Sequence, residues 1–289
     1  MRSHQTVAGS YALGDLTVNR IGFGAKRLGK DRTQATELLR RAVEWGVNHI
    51  DTAAFYPTYA SPSHKEHDFS ALKWANEVIR QALSPYPADL VIATKVGPTT
   101  SGLARPDQLR GQVEANLRAL GRDHLDVVYL RQHGLDSIVE HYGALAELRQ
   151  AGMIRHLGIS NVRPPHLTQA ATIAPVVAVQ NRYGIDFGRV NDEMLSTCRT
   201  QNIAFVPFFA LTSTGRERGG VTQNDAVDTF ARTHGVSAAQ VRTAWILSRG
   251  PHVLAIPGTS SINHLAENLR AGDLLQLPGI AALGAGRHS

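Results

Sequence analysis

The chain has a single cysteine, Cys198, among its 289 residues, so it cannot form an intrachain disulfide. This favours a reducing compartment and an inert, buried thiol. Long hydrophobic runs are also missing: no uninterrupted apolar stretch reaches the roughly 20 residues that a bilayer-spanning helix needs. The first residues lack the basic, apolar and small-residue pattern of a secretory signal. We therefore expect a cytoplasmic protein without a membrane partner.

Clustered positive charge is missing too, although the chain carries a formal net charge of +6. Such a balance could indicate nucleic-acid binding. The basic residues are scattered singly through amphipathic segments, however, and no basic run is interleaved with aromatic residues. A solvated basic surface is the simpler interpretation, with attraction for a phosphorylated cofactor or an anionic substrate as a secondary consequence. We expect no nucleic-acid partner and a monomer or weak homo-oligomer.

Short β-branched runs alternate with amphipathic helical stretches along most of the chain. Before this alternation begins, a Gly-Asp turn at residues 14–15 between two short apolar segments predicts a β-hairpin. Alternating strands and helices are typical of a parallel sheet, because parallel strand pairs need crossover connections. We predict an α/β fold, a (β/α)8 TIM barrel with an N-terminal β-hairpin. No linker or shift in composition divides the chain, which predicts one domain over residues 1–289.

The predicted elements fix where a catalytic site would lie, because the active sites of such barrels form at the C-terminal ends of the strands. The predicted strands are Arg20–Gly24, Val47–Asp51, Leu90–Lys95, Leu125–Arg131, Ile154–Ser160, Val176–Gln180, Ala204–Phe208 and Val253–Ile256. The predicted helices are Thr33–Trp45, Trp74–Leu83, Pro106–Leu120, Ile138–Ala151, Pro164–Ile173, Asn191–Gln201, Ser237–Leu247 and Ile262–Leu269.

Three polar residues at or just after strand ends suggest acid catalysis. Asp51 ends the second predicted strand, Tyr56 follows it, and Lys95 ends the third. A tyrosine hydroxyl can protonate a developing alkoxide, but a phenol ordinarily has a pKa of about 10. A neighbouring lysine lowers such a pKa, and an aspartate holds the lysine charged and oriented. Taken alone, Asp51 and Lys95 could equally be an ion pair that closes the barrel end. Together with Tyr56 they predict general acid catalysis, worth about 10²–10⁴-fold.

Several short motifs occur in a fixed order along nearly the whole chain. They are NHIDTA (48–53) followed by Tyr56, IATK (92–95), NLRALG (116–121), LDVVYL (125–130), IRHLGISN (154–161), VQN (179–181) and IPGTSS (256–261) followed by His264, Glu267 and Asn268. Each motif alone is a weak signal. The ordered set resembles the aldo-keto reductase family.

The resemblance implies NADPH-dependent reduction of an aldehyde or ketone, with Tyr56 as the proton donor and Asp51 and Lys95 as its tuning pair. It also implies a set of residues that bind NADPH/NADP+. A helix N-terminus after the turn at 258–261 would suit a phosphate, whereas no Rossmann motif follows an early strand. The implied cofactor residues are Ser160, Asn161, Gln180, Phe208, Leu211, Gly258, Thr259, Ser260, Ser261, His264, Glu267 and Asn268.

The chain departs from the commoner family pattern at Arg131, where a catalytic histidine usually stands. Arginine stays protonated and donates fixed hydrogen bonds, but it cannot shuttle a proton at neutral pH. The run 126–131 is similar to the bacterial pyridoxal reductase branch, which implies pyridoxal as one substrate. The alternative is that Arg131 pairs with an acidic neighbour at the barrel mouth. Gly258 and His264 stand where strongly NADPH-preferring members carry cations, which implies a modest preference for NADPH.

The sequence leaves other functions open. His64, Glu66 and His67 lie in a segment that resembles an insertion over the substrate mouth, and their spacing matches no strong metal-ligand motif, so we expect no metal. The altered segment could instead suit a carbonyl or imine intermediate of specialised metabolism. A cofactor-sensing binding protein without catalysis is a further alternative, because the family includes channel subunits that bind NADPH.

Overall fold

A curled parallel sheet forms the centre of the molecule. The computed structural model describes residues 7–28, 31–58, 73–186, 189–208, 211 and 224–284. Within them the strands are β1 Ser10–Leu13, β2 Leu16–Asn19, β3 Phe23–Gly24, β4 His49–Asp51, β5 Pro57–Thr58, β6 Lys73–Trp74, β7 Val91–Val96, β8 Pro98–Thr99, β9 Gly102–Leu103, β10 Leu125–Arg131, β11 Ile154–Ser160, β12 Val176–Gln180 and β13 Ala204–Phe205.

Helices follow the sheet strands and cover the outside of the sheet. In the described part of the chain they are α1 Arg32–Glu44, α2 Ala75–Leu83, α3 Leu109–Leu120, α4 Val139–Gln150, α5 Pro164–Ala171, α6 Asp192–Thr200, α7 Asp225–His234, α8 Ala238–Leu247 and α9 Ile262–Leu269. None of these helices is long and apolar enough to cross a bilayer.

The sheet closes on itself through residues 253–255. The order of its regular strands is β13, β12, β11, β10, β7, β4 and β3. At one edge Val253 forms a parallel bridge with Phe205, and at the other Ala255 forms one with Ile21. These bridges join the two edge strands of the central sheet, and the predicted (β/α)8 barrel is confirmed. The eighth strand, predicted as Val253–Ile256, is present as these bridges rather than as a continuous ladder.

Alternation along the strands divides the core into two apolar clusters. In β10, Val127 and Tyr129 belong to the cluster inside the barrel, whereas Val128 packs in the cluster beneath the helices. Leu13 and Val18 of the hairpin β1–β2 join the interior cluster and are fully buried. The predicted hairpin is therefore confirmed, and it closes the end of the barrel opposite the C-terminal ends of the strands.

Four of the sixteen predicted strands and helices have the predicted bounds, and most of the others differ from the structure by one to three residues at an end. Strands β10, β11 and β12 and helix α9 have the predicted bounds. The predicted strand Ala204–Phe208 is regular only over Ala204–Phe205, although Phe208 forms a further parallel bridge with Arg182. Helix α7 is absent from the predicted set. Its start is nonetheless encoded, because the Asn224 side chain accepts hydrogen bonds from the amides of residues 226 and 227.

Candidate active site

A buried ion pair lies at the C-terminal ends of β4 and β7. Lys95 Nζ donates hydrogen bonds to Asp51 Oδ1 at 2.6 Å and to the Thr52 carbonyl oxygen at 2.9 Å. The Lys95 and Asp51 side chains are only 1% and 4% exposed. Charges buried this deeply are stable only when they are paired and hydrogen-bonded. The pair therefore fixes a positive charge at one point inside the barrel mouth.

Gln180 holds the second oxygen of Asp51 from across the barrel. It is the last residue of β12, it is fully buried, and its Nε2 donates to Asp51 Oδ2 at 2.7 Å. Gln180 Oε1 is also buried and accepts no hydrogen bond from the described residues. An unsatisfied buried acceptor costs about 1–3 kcal/mol. This oxygen is therefore suited to a ligand that offers an N–H group.

Tyr56 lies beside the ion pair. Lys95 Nζ is 5.0 Å from the centre of the half-buried Tyr56 ring. The Tyr56 backbone is held on both sides, because its N–H donates to the Ala53 carbonyl at 3.0 Å and its carbonyl accepts from the Ala75 N–H at 3.2 Å. The structure thus brings Tyr56, Lys95 and Asp51 to one place, as the sequence leads us to expect.

Arg131 ends the next strand, β10, and lies opposite Ser160 in the sheet register. Its Nη1 is 3.4 Å from Ser160 Oγ, and its guanidinium carbon is 5.0 Å from the centre of the Phe208 ring. Within the described part of the chain, no carboxylate forms an ion pair with Arg131. The alternative of a structural ion pair at the barrel mouth therefore has no support there, and most of the guanidinium N–H groups can serve a ligand.

Ser160 is the last residue of β11, and Asn161 follows it directly. Ser160 is fully buried, and Asn161 adopts a left-handed backbone with a φ of 60°. Asparagine tolerates this conformation better than most residues. The Asn161 N–H donates to the Gln180 carbonyl at 3.0 Å, and its side-chain nitrogen donates to the Gln132 carbonyl at 3.1 Å. These contacts set Ser160, Asn161 and Gln180 side by side at the mouth.

The turn at 258–261 leads into helix α9. Thr259 Oγ1 accepts from the Ser261 N–H at 3.0 Å, and Ser261 Oγ accepts from the His264 N–H at 3.4 Å. Ser260 and His264 are exposed, Glu267 is half-buried and Asn268 is buried. Free amides and the positive end of the helix dipole make such a turn a favourable place for a phosphate group.

Residues 20–279 match the family model described as the aldo/keto reductase family. The chain belongs to this family. Pyridoxine 4-dehydrogenase of Escherichia coli is 39% identical over 288 residues, covering 92% of this chain and 93% of the relative. Methylglyoxal reductase YeaE of the same organism is 30% identical, covering 88% and 86%. A crystal structure of an aldo-keto reductase from Klebsiella pneumoniae with NADPH has a TM-score of 0.76 at 28% identity, covering 93% and 91%.

All of the predicted catalytic and cofactor residues lie among the described residues, whereas the three residues considered as a possible metal site do not. His64, Glu66 and His67 lie in the undescribed segment 59–72, and residues 212–223 are also undescribed. Leu211 is half-buried and lies between two undescribed segments. Among the described residues, no group of three or more histidine, cysteine or acidic residues is arranged to hold a metal.

Two buried residues near the ion pair are not among the site residues that the sequence predicts. The Tyr129 hydroxyl has no partner among the described residues, and Lys95 Nζ lies 5.9 Å from its ring centre. Burial, followed by the charge of Asp51, raises the pKa of Tyr129 well above its usual value. Burial lowers the pKa of His49 to about 4. Strand alternation gives the signal for both, because they lie two residues from Arg131 and Asp51 respectively.

Cys198 is fully buried in α6. Burial raises the pKa of its thiol to about 12, so the reactive thiolate is scarce at neutral pH. The residue has the properties of a core thiol rather than of a nucleophile.

Proposed function

We propose that this aldo-keto reductase uses NADPH to reduce an aldehyde or ketone to the alcohol, with Tyr56 as the general acid, in a single domain over residues 1–289. The observation that carries the proposal is the buried Asp51–Lys95 ion pair beside Tyr56. A buried pair used only for stability would not need a phenol at its open side.

The cofactor would lie across the strand ends. NADPH, when bound, supplies the hydride. Ser160, Asn161 and Gln180 would hold its carboxamide, and the unsatisfied Oε1 of Gln180 supports this assignment because a carboxamide offers an N–H donor. Phe208 would stack on the nicotinamide ring, with Leu211 nearby. The adenosine end would lie on the turn at 258–261 and on α9, against Gly258, Thr259, Ser260, Ser261, His264, Glu267 and Asn268.

Proton transfer would run from the Tyr56 hydroxyl to the carbonyl oxygen as that oxygen gains negative charge. The Lys95 ammonium stabilises the phenolate that remains, and Asp51 keeps the ammonium in place. Because the pair is shielded from water, its field at the phenol is stronger than it would be at a surface. Arg131 can donate to the same carbonyl oxygen but cannot return a proton.

Pyridoxal is the substrate that we propose. The similarity to a pyridoxine 4-dehydrogenase supports it. Pyridoxal also carries an ionisable phenolic oxygen ortho to its aldehyde, so the planar guanidinium of Arg131 could hold both oxygens at once. The position of Arg131 at the end of β10, without a carboxylate partner in the described residues, suits this role.

Incubation of the purified protein with NADPH and pyridoxal tests the proposal. We expect NADPH consumption that matches the formation of pyridoxine, with plain aromatic aldehydes as poorer substrates. If the protein turned over only carbonyl or imine compounds of another class, pyridoxal would be ruled out as the substrate. A protein that binds NADPH but consumes none with any aldehyde in a broad panel would be a cofactor-sensing binding protein.

A further inference from the structure

Gly258 occupies a position that has no room for a side chain. A Cβ atom built on it would lie 2.5 Å from the Gly24 carbonyl oxygen, and a Cβ on Gly24 would lie 2.5 Å from the Ile256 carbonyl oxygen. Real Cβ atoms essentially never approach backbone so closely. The end of β3 and the turn after residue 256 therefore pack backbone against backbone. A lysine at position 258 would need the turn to move.

Arg27 is the cation next to this turn. It ends the short 3-10 helix Ala25–Arg27, which directly follows β3. Its Cβ lies 3.7 Å from the position that a Cβ of Gly258 would take. The side chain of Arg27 therefore begins beside the point where a side chain at 258 would begin. The segment that follows β3 therefore places a positive charge beside the turn at 258–261, where position 258 has no room for a charged side chain.

The guanidinium of Arg27 has no hydrogen-bond or ion-pair partner among the described residues, and the side chain is exposed. Two other arginines show the contrast, since Arg20 donates to four carbonyl groups and Arg122 forms an ion pair with Asp126. Desolvation lowers the pKa of Arg27, although an arginine stays protonated at neutral pH. Its charge and donors are available to a ligand.

We infer that Arg27 supplies the cation for the 2′-phosphate of NADPH, from the first barrel loop, in place of a cation at position 258. The inference rests on the proposed NADPH-dependent function. A guanidinium offers a phosphate both charge and paired N–H donors. The hydroxyl groups of Thr259 and Ser261 and the N-terminus of α9 lie at the same turn. Because NADH lacks this phosphate, Arg27 would determine the preference between the two cofactors.

Calorimetric titration of the whole protein tests this role without relying on turnover. The ligands are NADPH, NADH, adenosine 2′,5′-bisphosphate and AMP, and the variants are Arg27→Met and Arg27→Lys. Arg118→Met is the matched control, because Arg118 is a highly exposed arginine on α3, on the outside of the barrel. We expect Arg27→Met to weaken NADPH and bisphosphate binding about 10- to 100-fold. Binding of NADH and AMP should change less than about threefold, and Arg27→Lys should lie between.

Equal losses for NADPH and NADH would assign Arg27 to the shared pyrophosphate and overturn the inference. Unchanged NADPH affinity in Arg27→Met would overturn it as well. A wild-type protein that binds neither dinucleotide would instead contradict the proposed function, so the two failures are distinct. The melting temperatures of both variants should equal that of the control, which separates a lost contact from a damaged fold.

Discussion

The two ends of the barrel differ in how far the hydrogen-bonding capacity of their polar groups is filled within the chain. At the N-terminal end of the strands, Arg20 donates hydrogen bonds to four carbonyl groups, and Asp15 in the hairpin turn pairs with Arg155 and His156. At the C-terminal end, Arg131 and Arg27 lack a carboxylate partner among the described residues, and Gln180 Oε1 is unsatisfied.

This difference separates residues that stabilise the fold from residues that are available to bind a ligand. Groups whose hydrogen-bonding capacity is filled within the chain contribute to stability and have little left to offer a substrate. A buried group with unfilled capacity, such as Gln180 Oε1, reduces stability until a ligand completes it, whereas an exposed one is hydrated by water. The C-terminal end of the barrel therefore combines buried charge with free donors and acceptors, as a binding site requires.

The largest expected effect is a loss of turnover in a variant at the C-terminal end of the barrel strands. Tyr56→Phe removes the proton donor but keeps the ring beside Lys95, so kcat should fall by about 10²–10⁴-fold while the NADPH dissociation constant changes only a few-fold. Because the lost interaction exists only in the transition state, kcat and kcat/KM should fall together. Steady-state kinetics with pyridoxal and a binding titration measure both. Wild-type turnover by Tyr56→Phe on any good substrate would rule out Tyr56 as the acid.

Arg20→Met should show the opposite pattern at the N-terminal end. Four carbonyl oxygens around a buried guanidinium would lose their donors, which should lower the free energy of unfolding by about 3 kcal/mol. The folded fraction should keep its kcat, because Arg20 lies away from the strand ends that carry Tyr56. Urea denaturation together with activity per folded molecule tests this, with Arg118→Met as a control within about 0.5 kcal/mol of wild type. A large loss of kcat without a loss of stability would contradict the division between the two ends.

His49, inside the barrel between the two ends, should make stability depend on pH. Its pKa in the folded state is about 4, below the ordinary histidine value of 6.5, because of burial. The unfolded chain therefore binds more protons than the folded chain between these pH values, and stability falls as the pH drops from 6.5 towards 4. The expected loss is about 2–3 kcal/mol. Urea denaturation at several pH values should give a smaller loss over this window for His49→Phe, and equal losses would assign the effect to other groups.

Arg131→Met tests the substrate side of the C-terminal end. Loss of a charge-assisted contact should raise the transition-state free energy for pyridoxal reduction by about 1.5–3 kcal/mol, and kcat/KM should fall accordingly. A plain aromatic aldehyde has no ortho oxygen for Arg131 to hold, so the loss of kcat/KM for that aldehyde should be smaller. The measurement is kcat/KM for both aldehydes in both proteins. Equal losses would make Arg131 a general carbonyl donor and would weaken the case for pyridoxal.

The sequence predicts the fold well because the pattern of the barrel is local. The strands Leu125–Arg131 and Ile154–Ser160 combine β-branched runs with polar ends, and the predicted bounds of both equal the observed ones. The eighth strand is less regular than expected, because it closes the barrel through single bridges at Val253 and Ala255. Helix α7 was missed although its cap, Asn224, and its terminal Gly235 are visible in the sequence.

The site is less predictable because its contacts join distant parts of the chain. Asp51 and Lys95 could be paired from their positions at adjacent strand ends. The hydrogen bond from Gln180 to Asp51 could not, since it spans 129 residues and depends on curvature across the barrel. The approach of Arg27 to Gly258 likewise depends on barrel closure and on backbone packing that the sequence does not reveal.

The smallest expected effect is a change in cofactor preference at His264, next to the turn at 258–261. His264 is exposed in the first turn of α9, and His264→Arg would add a guanidinium that suits a phosphate dianion better than an imidazole does. The preference for NADPH over NADH should widen only about 3- to 10-fold, because an exposed contact is screened by water. Fluorescence titration of both reduced cofactors measures the ratio, with His264→Gln as a control that adds no charge. If Arg27 already holds the phosphate, the gain from His264→Arg should be larger in the Arg27→Met background than in the wild type. Tighter binding of NADH than of NADPH by the wild-type protein would remove the 2′-phosphate from this turn altogether.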